Sequence, residues 1–399
     1  MIIDLPSTTT SKVNKKLVEL RESGGAVALG RVLTLAIITD DGTQAEEAIA
    51  AANEASREHP CRVVLIAKGA RRAAARLDAQ IRVGGDAGAS EVIMLRLYGP
   101  LADEGASCLV PLLLPDAPVV AWWPYETPKV PADDPIGRLA HRRITDAKSE
   151  RNPVKALEHR AAVYADGDTD LAWTRLTSWR ALLATALDLP PHEKVESATV
   201  TGRADSPSTT LLAAWLATAL QVPVQRVRSE DGQGIVSVVL ERPSGKITLD
   251  RPDGQVATLT QPGQPDRRVT LHRRSVRDCL IEELRRLDPD EIYSMTLKAL
   301  PKVERRGSGT SAGRSTVKRS TRSSAKSSVA SVAGKTTKTT KPSAATGAKA
   351  SARAVAKSAG IARGGRRTAE PKPSRRSSAA SARARGKAVE NGEDAGEQS

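Results

Sequence analysis

Cysteine is scarce and phenylalanine is absent in this 399-residue chain, which has three cysteines and no phenylalanine. The cysteines, Cys61, Cys108 and Cys279, are far apart and odd in number, which fits reduced thiols better than a disulfide framework. The sequence leaves a redox role for them open. Residues 1–11 carry no basic cluster before an apolar run, so we expect no secretory signal and a cytoplasmic protein.

Long hydrophobic runs are also missing. The most apolar stretch, residues 108–123, is interrupted by Pro111, Pro115, Asp116 and Pro118. It is shorter than the roughly 20 residues that a helix needs to cross a bilayer. We therefore expect no transmembrane segment and no membrane partner.

Motifs of known chemistry are absent as well. The first apolar run leads into Asp40-Asp41-Gly42-Thr43, which offers one glycine and two negative charges where a pyrophosphate would have to bind. Gly84, Gly85 and Gly88 lie between two predicted strands, which favours a loop over a phosphate site. No pair of histidines, and no histidine with a cysteine, has metal-ligand spacing. We predict a protein that is not an enzyme and holds no cofactor or metal.

Charge is distributed unevenly along the chain. Residues 304–399 contain 22 Lys and Arg, 6 Asp and Glu, no aromatic residue, and a background of Ser, Ala, Thr and Gly. Such a segment cannot bury enough apolar surface to fold, so we expect a disordered basic tail. Residues 1–303 keep 39 of the 61 basic and 40 of the 46 acidic residues. The net charge of +15 therefore belongs to the tail and says nothing about what the folded part binds.

The hydrophobic pattern predicts two α/β domains. In the first, the apolar runs 32–39 and 62–67 flank an Ala/Glu-rich helical segment at 44–57, and further strands are predicted at 91–97 and 119–123. Continuous apolar runs are typical of strands covered on both faces, so we expect a parallel, Rossmann-like sheet in residues 1–165.

The second domain, residues 166–303, begins with a helical pattern at 169–187 and a strand at 195–201, followed by a helix at 208–220. The period then changes to two between 234 and 271, which predicts an antiparallel meander. Helices at 275–287 and 289–300 close the domain. Asp288, Pro289 and Glu291 give the last of these helices a predicted start.

Two features of the sequence suggest a contact surface. The first is Pro-Val-Val-Ala-Trp-Trp-Pro at 118–124, whose indoles either pack in the core or anchor an interface. The second is Arg-Arg-Ile-Thr-Asp at 142–146 together with Asp-Leu-Ala-Trp-Thr-Arg-Leu-Thr-Ser-Trp-Arg at 170–180. For the arginines, an internal ion-pair network is favoured over a contact surface. The candidate partner interface consists of Trp122, Trp123, Arg142, Arg143, Trp179 and Arg180.

These blocks, the helix at 211–220 and Arg-Leu-Asp-Pro-Asp-Glu at 286–291 resemble, in the same order, the actinobacterial OpcA family of glucose-6-phosphate dehydrogenase assembly proteins. The resemblance covers residues 1 to about 300. It implies a non-catalytic partner that binds glucose-6-phosphate dehydrogenase and promotes its active assembly, supporting NADPH production in the oxidative pentose phosphate pathway. It transfers no catalytic residue, and the tail lies outside it.

Two alternative functions compete with this interpretation. An enzyme on a Rossmann-like fold is disfavoured by the missing motifs. A nucleic-acid-associated protein is suggested by the tail, whose dispersed Lys and Arg would attract phosphate backbones, or another anionic partner, without sequence preference. The tail also has a simpler interpretation as a solvated extension.

The tail generates a test of the nucleic-acid alternative. Any affinity for nucleic acid should belong to residues 304–399, because the remainder is balanced in charge, and it should collapse between low and physiological salt. Filter binding with the chain ended near residue 303 measures this. Salt-resistant affinity in the shortened chain would contradict the prediction.

Overall fold

A computed structural model describes residues 1–23, 31–84, 91–230 and 234–306. They form a mixed α/β structure built on two sheets, as the sequence predicted. The predicted tail from residue 307 onward lies outside the described residues, as do Gly85 and Gly88 of the predicted glycine loop.

The first sheet has a parallel centre and an antiparallel edge. Its described strands are β1 (Ile2–Leu5), β2 (Leu33–Asp40), β3 (Cys61–Lys68), β4 (Arg76–Arg82), β5 (Glu91–Tyr98), β6 (Val119–Trp123), β7 (Arg142–Thr145) and β8 (Asp168–Asp170). They lie in the order β1-β4-β5-β3-β2-β6-β7-β8. The pairs from β5 to β8 are parallel, whereas β4 pairs antiparallel with both β5 and β1. β2 and β3 are buried over seven of their eight residues, which explains their unbroken apolar sequence.

The second sheet joins a meander to a short parallel segment. Its described strands are β9 (Ser197–Arg203), β10 (Val224–Ser229), β11 (Ile235–Glu241), β12 (Ile247–Asp250), β13 (Val256–Thr260), β14 (Arg267–Thr270) and β15 (Glu304–Arg306). Their order is β14-β13-β12-β11-β9-β10-β15. The strands from β9 through β14 alternate buried and accessible residues in several places, because helices cover only one face of this sheet.

Helices cover both faces of the first sheet and one face of the second. The described helices are α1 (Thr10–Ser23), α2 (Thr43–Ser56), α3 (Gly105–Leu109), α4 (Pro153–Ala162), α5 (Leu171–Thr174), α6 (Thr177–Leu187), α7 (Pro207–Leu220), α8 (Val276–Arg285) and α9 (Glu291–Lys298). Short 3-10 helices occupy Gly99–Asp103, Val110–Leu112, Gly137–Leu139, Ala147–Ser149 and Leu300–Lys302. One face of the first sheet packs on α2 and α8, and the opposite face packs on α1 and α3.

The two halves of the chain exchange helices. α8 follows the second sheet in sequence, but its Cys279, Leu280 and Leu284 are buried in the core of the first sheet against α2. Conversely, α4 precedes the second sheet, and its Leu157 lies in the core formed by α5, α6, α7 and that sheet. We call residues around the first sheet, with α8, the first lobe, and residues around the second sheet, with α4, the second lobe. Neither lobe is built from one continuous segment.

Several elements differ from the sequence-based expectation. The single helix predicted at 169–187 is divided into β8, α5 and α6, because Asp168–Asp170 pair with β7 and Asp170 then caps α5 through the amide of Ala172. The last helix starts after Asp290, not Asp288, since the Asp290 carboxylate accepts the amide of Tyr293 at 2.9 Å. β1, β4, β7, β10 and β15 were not predicted as strands.

β15 concerns the boundary of the tail. Glu304–Arg306, which the sequence-based boundary assigns to the tail, pair in parallel with residues 225–227 of β10.

None of the helices that the structure describes combines the length and the apolar character needed to cross a membrane.

We predict that a chain ended after Arg306 melts within about 2 °C of the full chain, because residues 307–399 have no aromatic residue and only a few scattered Val and Ile side chains to pack. A chain ended after Val303 should melt a few degrees lower, since it loses the hydrogen bonds of β15, each contributing about 1 kcal/mol. Circular dichroism during heating measures both. A drop of more than about 5 °C in the longer variant would contradict the prediction and show that the tail packs on the rest of the chain.

Candidate functional site

All six candidate interface residues are buried. Their exposed fractions are 1% for Trp122, 2% for Trp123, 4% for Arg142, 7% for Arg143, 2% for Trp179 and 4% for Arg180. None of them presents an exposed anchor. The structure instead places them in three settings: the core of the first sheet, a polar network where the lobes meet and, for Trp179, the core of the second lobe.

The two adjacent tryptophans pack on opposite faces of β6. Neighbouring residues of a strand point to opposite sides, so Trp122 joins the core beneath α2 and α8 and Trp123 joins the core beneath α1 and α3. The sequence allowed one indole in the core and one at its edge, whereas both are in the core. Their size suits a central strand that is covered on both sides.

Arg142 connects β7 to α8. Its Nε donates to the Glu283 carboxylate at 2.9 Å, its Nη2 donates to the same oxygen, and its Nη1 donates to the carbonyl oxygen of Asp288 at 2.8 Å. Both side chains of the ion pair are 5% exposed. The Thr174 hydroxyl, at the end of α5, donates to the other oxygen of Glu283. One buried carboxylate thus joins three segments that are far apart in sequence.

Arg143 points away from Arg142 and holds the loop before β8. It pairs with Asp168 and donates to the carbonyl oxygens of Asp166 and Ala140. Gly167, at φ +93°, lies between Asp166 and Asp168, and a Cβ there would meet the His141 carbonyl oxygen at 2.5 Å. Glycine is required at this position because both the backbone angle and the close approach exclude a side chain.

Asp146 and Asp170 form the acidic centre of the network. Asp146 accepts two hydrogen bonds from the Arg175 guanidinium, at 2.8 and 2.6 Å. Asp170 is fully buried and accepts the Thr145 hydroxyl at 2.7 Å and the amides of Ala147 and Ala172 at 2.9 Å. Burial, reinforced by the charge of Asp146, raises the pKa of Asp170 to about 6. These contacts fix the end of the first sheet against the start of α5.

Arg180 and Trp179 belong to the second lobe. The Arg180 guanidinium stacks 3.7 Å from the centre of the Trp173 ring, and the Trp173 indole donates to Asp290 at 2.8 Å. Burial lowers the pKa of Arg180 to about 10. The guanidinium carbon of Arg251 lies 4.9 Å from the centre of the Trp179 ring. A guanidinium over an indole face is a favourable arrangement where water is excluded.

The arrangement favours the internal-network interpretation of the two arginine blocks. Glu283 and Arg251 were not singled out by sequence, because each lies more than 70 positions from the arginine or tryptophan that it contacts. No spacing rule links such residues. A buried acidic position in the otherwise amphipathic α8 is the one local signal that marks Glu283.

The crevice at the carboxyl end of β2, where a dinucleotide would bind in a Rossmann-like sheet, holds a carboxylate. Asp41 accepts the amide of Gly42 at 3.1 Å and pairs with Arg96 at 3.2 Å. The Tyr98 hydroxyl also donates to it, at 3.2 Å. A phosphate placed here would meet this negative charge at the start of α2.

The three cysteines are buried, and they are thiols rather than disulfides. Burial raises the pKa of Cys279 to about 12 and also raises that of Cys108, so both of these thiols are protonated at neutral pH. Among the described residues, no group of three or more His, Cys, Asp and Glu side chains could hold a metal ion.

Two family models match the chain, and both describe a glucose-6-phosphate dehydrogenase subunit. The model of its N-terminal domain matches residues 52–162, and the model of its C-terminal domain matches residues 166–297. Together they span most of both sheets and the whole arginine network. No curated protein matches the chain.

The buried Arg142–Glu283 pair yields a stability prediction. Glu283→Gln leaves the Arg142 guanidinium buried without its counter-charge and should lower the free energy of unfolding by about 3 to 5 kcal/mol. Urea denaturation followed by tryptophan fluorescence measures the change.

Glu58→Gln is the matched control, because Glu58 pairs with Arg285 of α8, the helix that also carries Glu283. The Glu58 and Arg285 side chains are 46% and 60% exposed. That substitution should change the free energy of unfolding by less than about 1 kcal/mol. Equal effects of the two substitutions would show that the Arg142–Glu283 pair does not hold α8 on the first sheet.

Proposed function

Because the chain belongs to the OpcA family of glucose-6-phosphate dehydrogenase subunits, we propose that it binds glucose-6-phosphate dehydrogenase and favours the active oligomer of that enzyme. The observation that carries the proposal is the pair of family matches in the order N-terminal domain, C-terminal domain. The consequence for the cell is a supply of NADPH from the oxidative pentose phosphate pathway. The chain itself acts without catalysing a reaction.

The structural support for a non-catalytic partner lies in how the charged residues are used. The arginines and carboxylates of the family blocks pair with each other inside the protein, as Arg142 with Glu283 and Arg175 with Asp146. Residues committed in this way to internal ion pairs are poorly placed to act on a substrate.

An activator of this kind works by differential affinity. A partner that binds the active and inactive states of an enzyme equally shifts nothing, whatever its affinity. A coupling of about 1 to 3 kcal/mol, typical of allosteric partners, changes the active population by about 5- to 150-fold at saturation where the active state is rare. The oligomer distribution of the enzyme should change together with its rate.

Under this proposal, the six buried candidate residues hold in place the surface that contacts the enzyme. Substituting Trp123 or Trp179 by Ala should lower the free energy of unfolding and the activation together, because each indole fills a core. Substituting an exposed interface residue by Ala would instead lower the activation without lowering the free energy of unfolding.

The tail is not needed for the proposed function. Both family matches end before residue 298, and neither concerns nucleic acid, so the nucleic-acid alternative has no support from them.

We predict that saturating amounts of the full chain raise the rate of the cognate dehydrogenase by at least about fivefold and shift it to a larger assembly. Initial rates and sedimentation velocity at the same enzyme concentration measure the two effects. A chain ended after Arg306 serves as the control and should act equally well. The proposal fails if the saturating full chain leaves both the rate and the oligomer distribution unchanged.

A further inference from the structure

A cavity of about 280 Å³ opens beside the network, on the side of the second lobe. It lies where β9 ends and α7 begins, and Trp179 forms part of its wall. The segment between β14 and α8 contributes His272, Arg273 and Arg274, and the segment after β7 contributes Lys148. Segments that are far apart in sequence therefore build the cavity. Of the residues that line the cavity, Trp179 alone belongs to the candidate interface.

The lining is strongly cationic. It contains six Lys and Arg side chains and, among the described residues, a single carboxylate, Asp205. Three of the cations have carboxylate partners, namely Arg175 with Asp146, Arg203 with Asp205 and Arg274 with Glu282. Two others, Lys148 and Arg251, form no ion pair within the part of the chain that the structure describes. A surplus of positive charge remains at the cavity.

Arg251 is the buried part of this surplus. It is 5% exposed, its Nη1 donates to the carbonyl oxygen of Leu271 at 3.0 Å, and its Nη2 donates to that of Ile235 at 2.9 Å. Its Nε is buried and has no hydrogen-bond partner among the described residues. Carbonyl dipoles orient the guanidinium but do not neutralise it, and an uncompensated buried charge is costly. The wall thus maintains a fixed cation that has no carboxylate at ion-pair distance among the described residues, and the charge of Asp253 acts on it only from farther away.

Lys148 lies on the 3-10 helix Ala147–Ser149, lines the cavity and is exposed at its rim. Burial of its amine, together with the charges of Arg175 and Arg273, lowers the pKa of Lys148, while Asp146 opposes that shift. Burial and the charge of Arg273 likewise lower the pKa of Arg251 to about 10. The cations around the cavity repel one another, and an anion between them would relieve this repulsion.

The start of α7 adds partial positive charge to the same cavity. Ser206 caps this 14-residue helix by accepting the amide of Thr209 at 3.2 Å, and Pro207 and Ser208 line the cavity. Gly202 allows the close approach, since a Cβ there would lie 2.4 Å from the Gly234 carbonyl oxygen and 2.6 Å from the Thr209 hydroxyl. Aligned peptide dipoles at a helix start favour anions.

We propose that this cavity binds a small phosphorylated metabolite, a phosphate monoester whose dianion lies between Lys148, Arg251 and the start of α7. A dianion matches the surplus charge of Lys148 and Arg251, and its oxygens suit guanidinium and ammonium donors. The volume is close to the lower limit of ligand pockets, about 300 Å³, so it suits a sugar phosphate rather than a polynucleotide. This site goes beyond the proposed function, because binding of the dehydrogenase does not require it.

The test uses the full chain alone, without the dehydrogenase, so that its failure leaves the proposed function untouched. Inorganic phosphate and a hexose monophosphate are titrated separately by isothermal titration calorimetry in a chloride buffer near physiological ionic strength. Saturable binding of one ligand per chain is expected for both. Tighter binding of the ester would identify an organic phosphate as the ligand, and equal affinity would identify the phosphate group alone as the recognised element.

The Lys148→Gln substitution shows whether the ligand binds in this cavity. The Lys148 side chain is at the rim, so its loss should not affect folding. It should weaken the affinity by about tenfold, the effect of one lost charge-assisted contact. Lys246→Gln is the matched control, being 64% exposed and outside the cavity, and it should change the affinity by less than about twofold. The proposal is overturned if neither phosphate shows saturable binding, or if Lys148→Gln binds as tightly as the native chain. The second outcome would assign the binding to other cations, including those of residues 307–399.

Discussion

The buried pair of Arg142 and Glu283 is the contact on which the placement of α8 on the first sheet depends. A guanidinium at 5% exposure is stabilised by a counter-charge and by carbonyl acceptors, and α8 supplies the counter-charge. This requirement places a helix from the far end of the second domain on the first sheet. Once α8 is there, Cys279, Leu280 and Leu284 complete the apolar core beneath α2. Electrostatic pairing and hydrophobic burial thus specify the same position for α8.

The sequence predicted those parts of the fold that local patterns control. Unbroken apolar runs predicted the buried parallel strands β2 and β3, and a period of two predicted the meander. Local patterns failed where tertiary contacts decide. Asp168–Asp170 lie within a helical pattern but form a strand, because β7 offers backbone partners and Asp170 is needed as a buried acceptor. β1, β4, β7, β10 and β15 are short or contain charged residues, so their sequences carry little strand signal.

The candidate site shows the same division. Composition identified the tryptophans and arginines as unusual, and an internal network was correctly favoured for the arginines. Burial could not be read from their spacing, because Arg142 meets Glu283 across 141 positions and Arg251 meets Trp179 across the second lobe. The blocks that carry the family resemblance are therefore mainly blocks that pack the interior of the protein. They identify the family through its architecture, while the surface that meets the enzyme is a separate feature.

Amide hydrogen exchange of the full chain, with and without saturating glucose-6-phosphate dehydrogenase, tests most directly the claim that the chain is a binding subunit with an internal arginine network. Peptides containing Arg142, Asp170 and Glu283 should exchange slowly in the free chain and remain unchanged on binding, because their hydrogen bonds already exist. Exposed segments within residues 1–306 should become slower on binding. The account would be contradicted if the network peptides exchanged rapidly until the enzyme was added, or if no peptide responded to the enzyme at all.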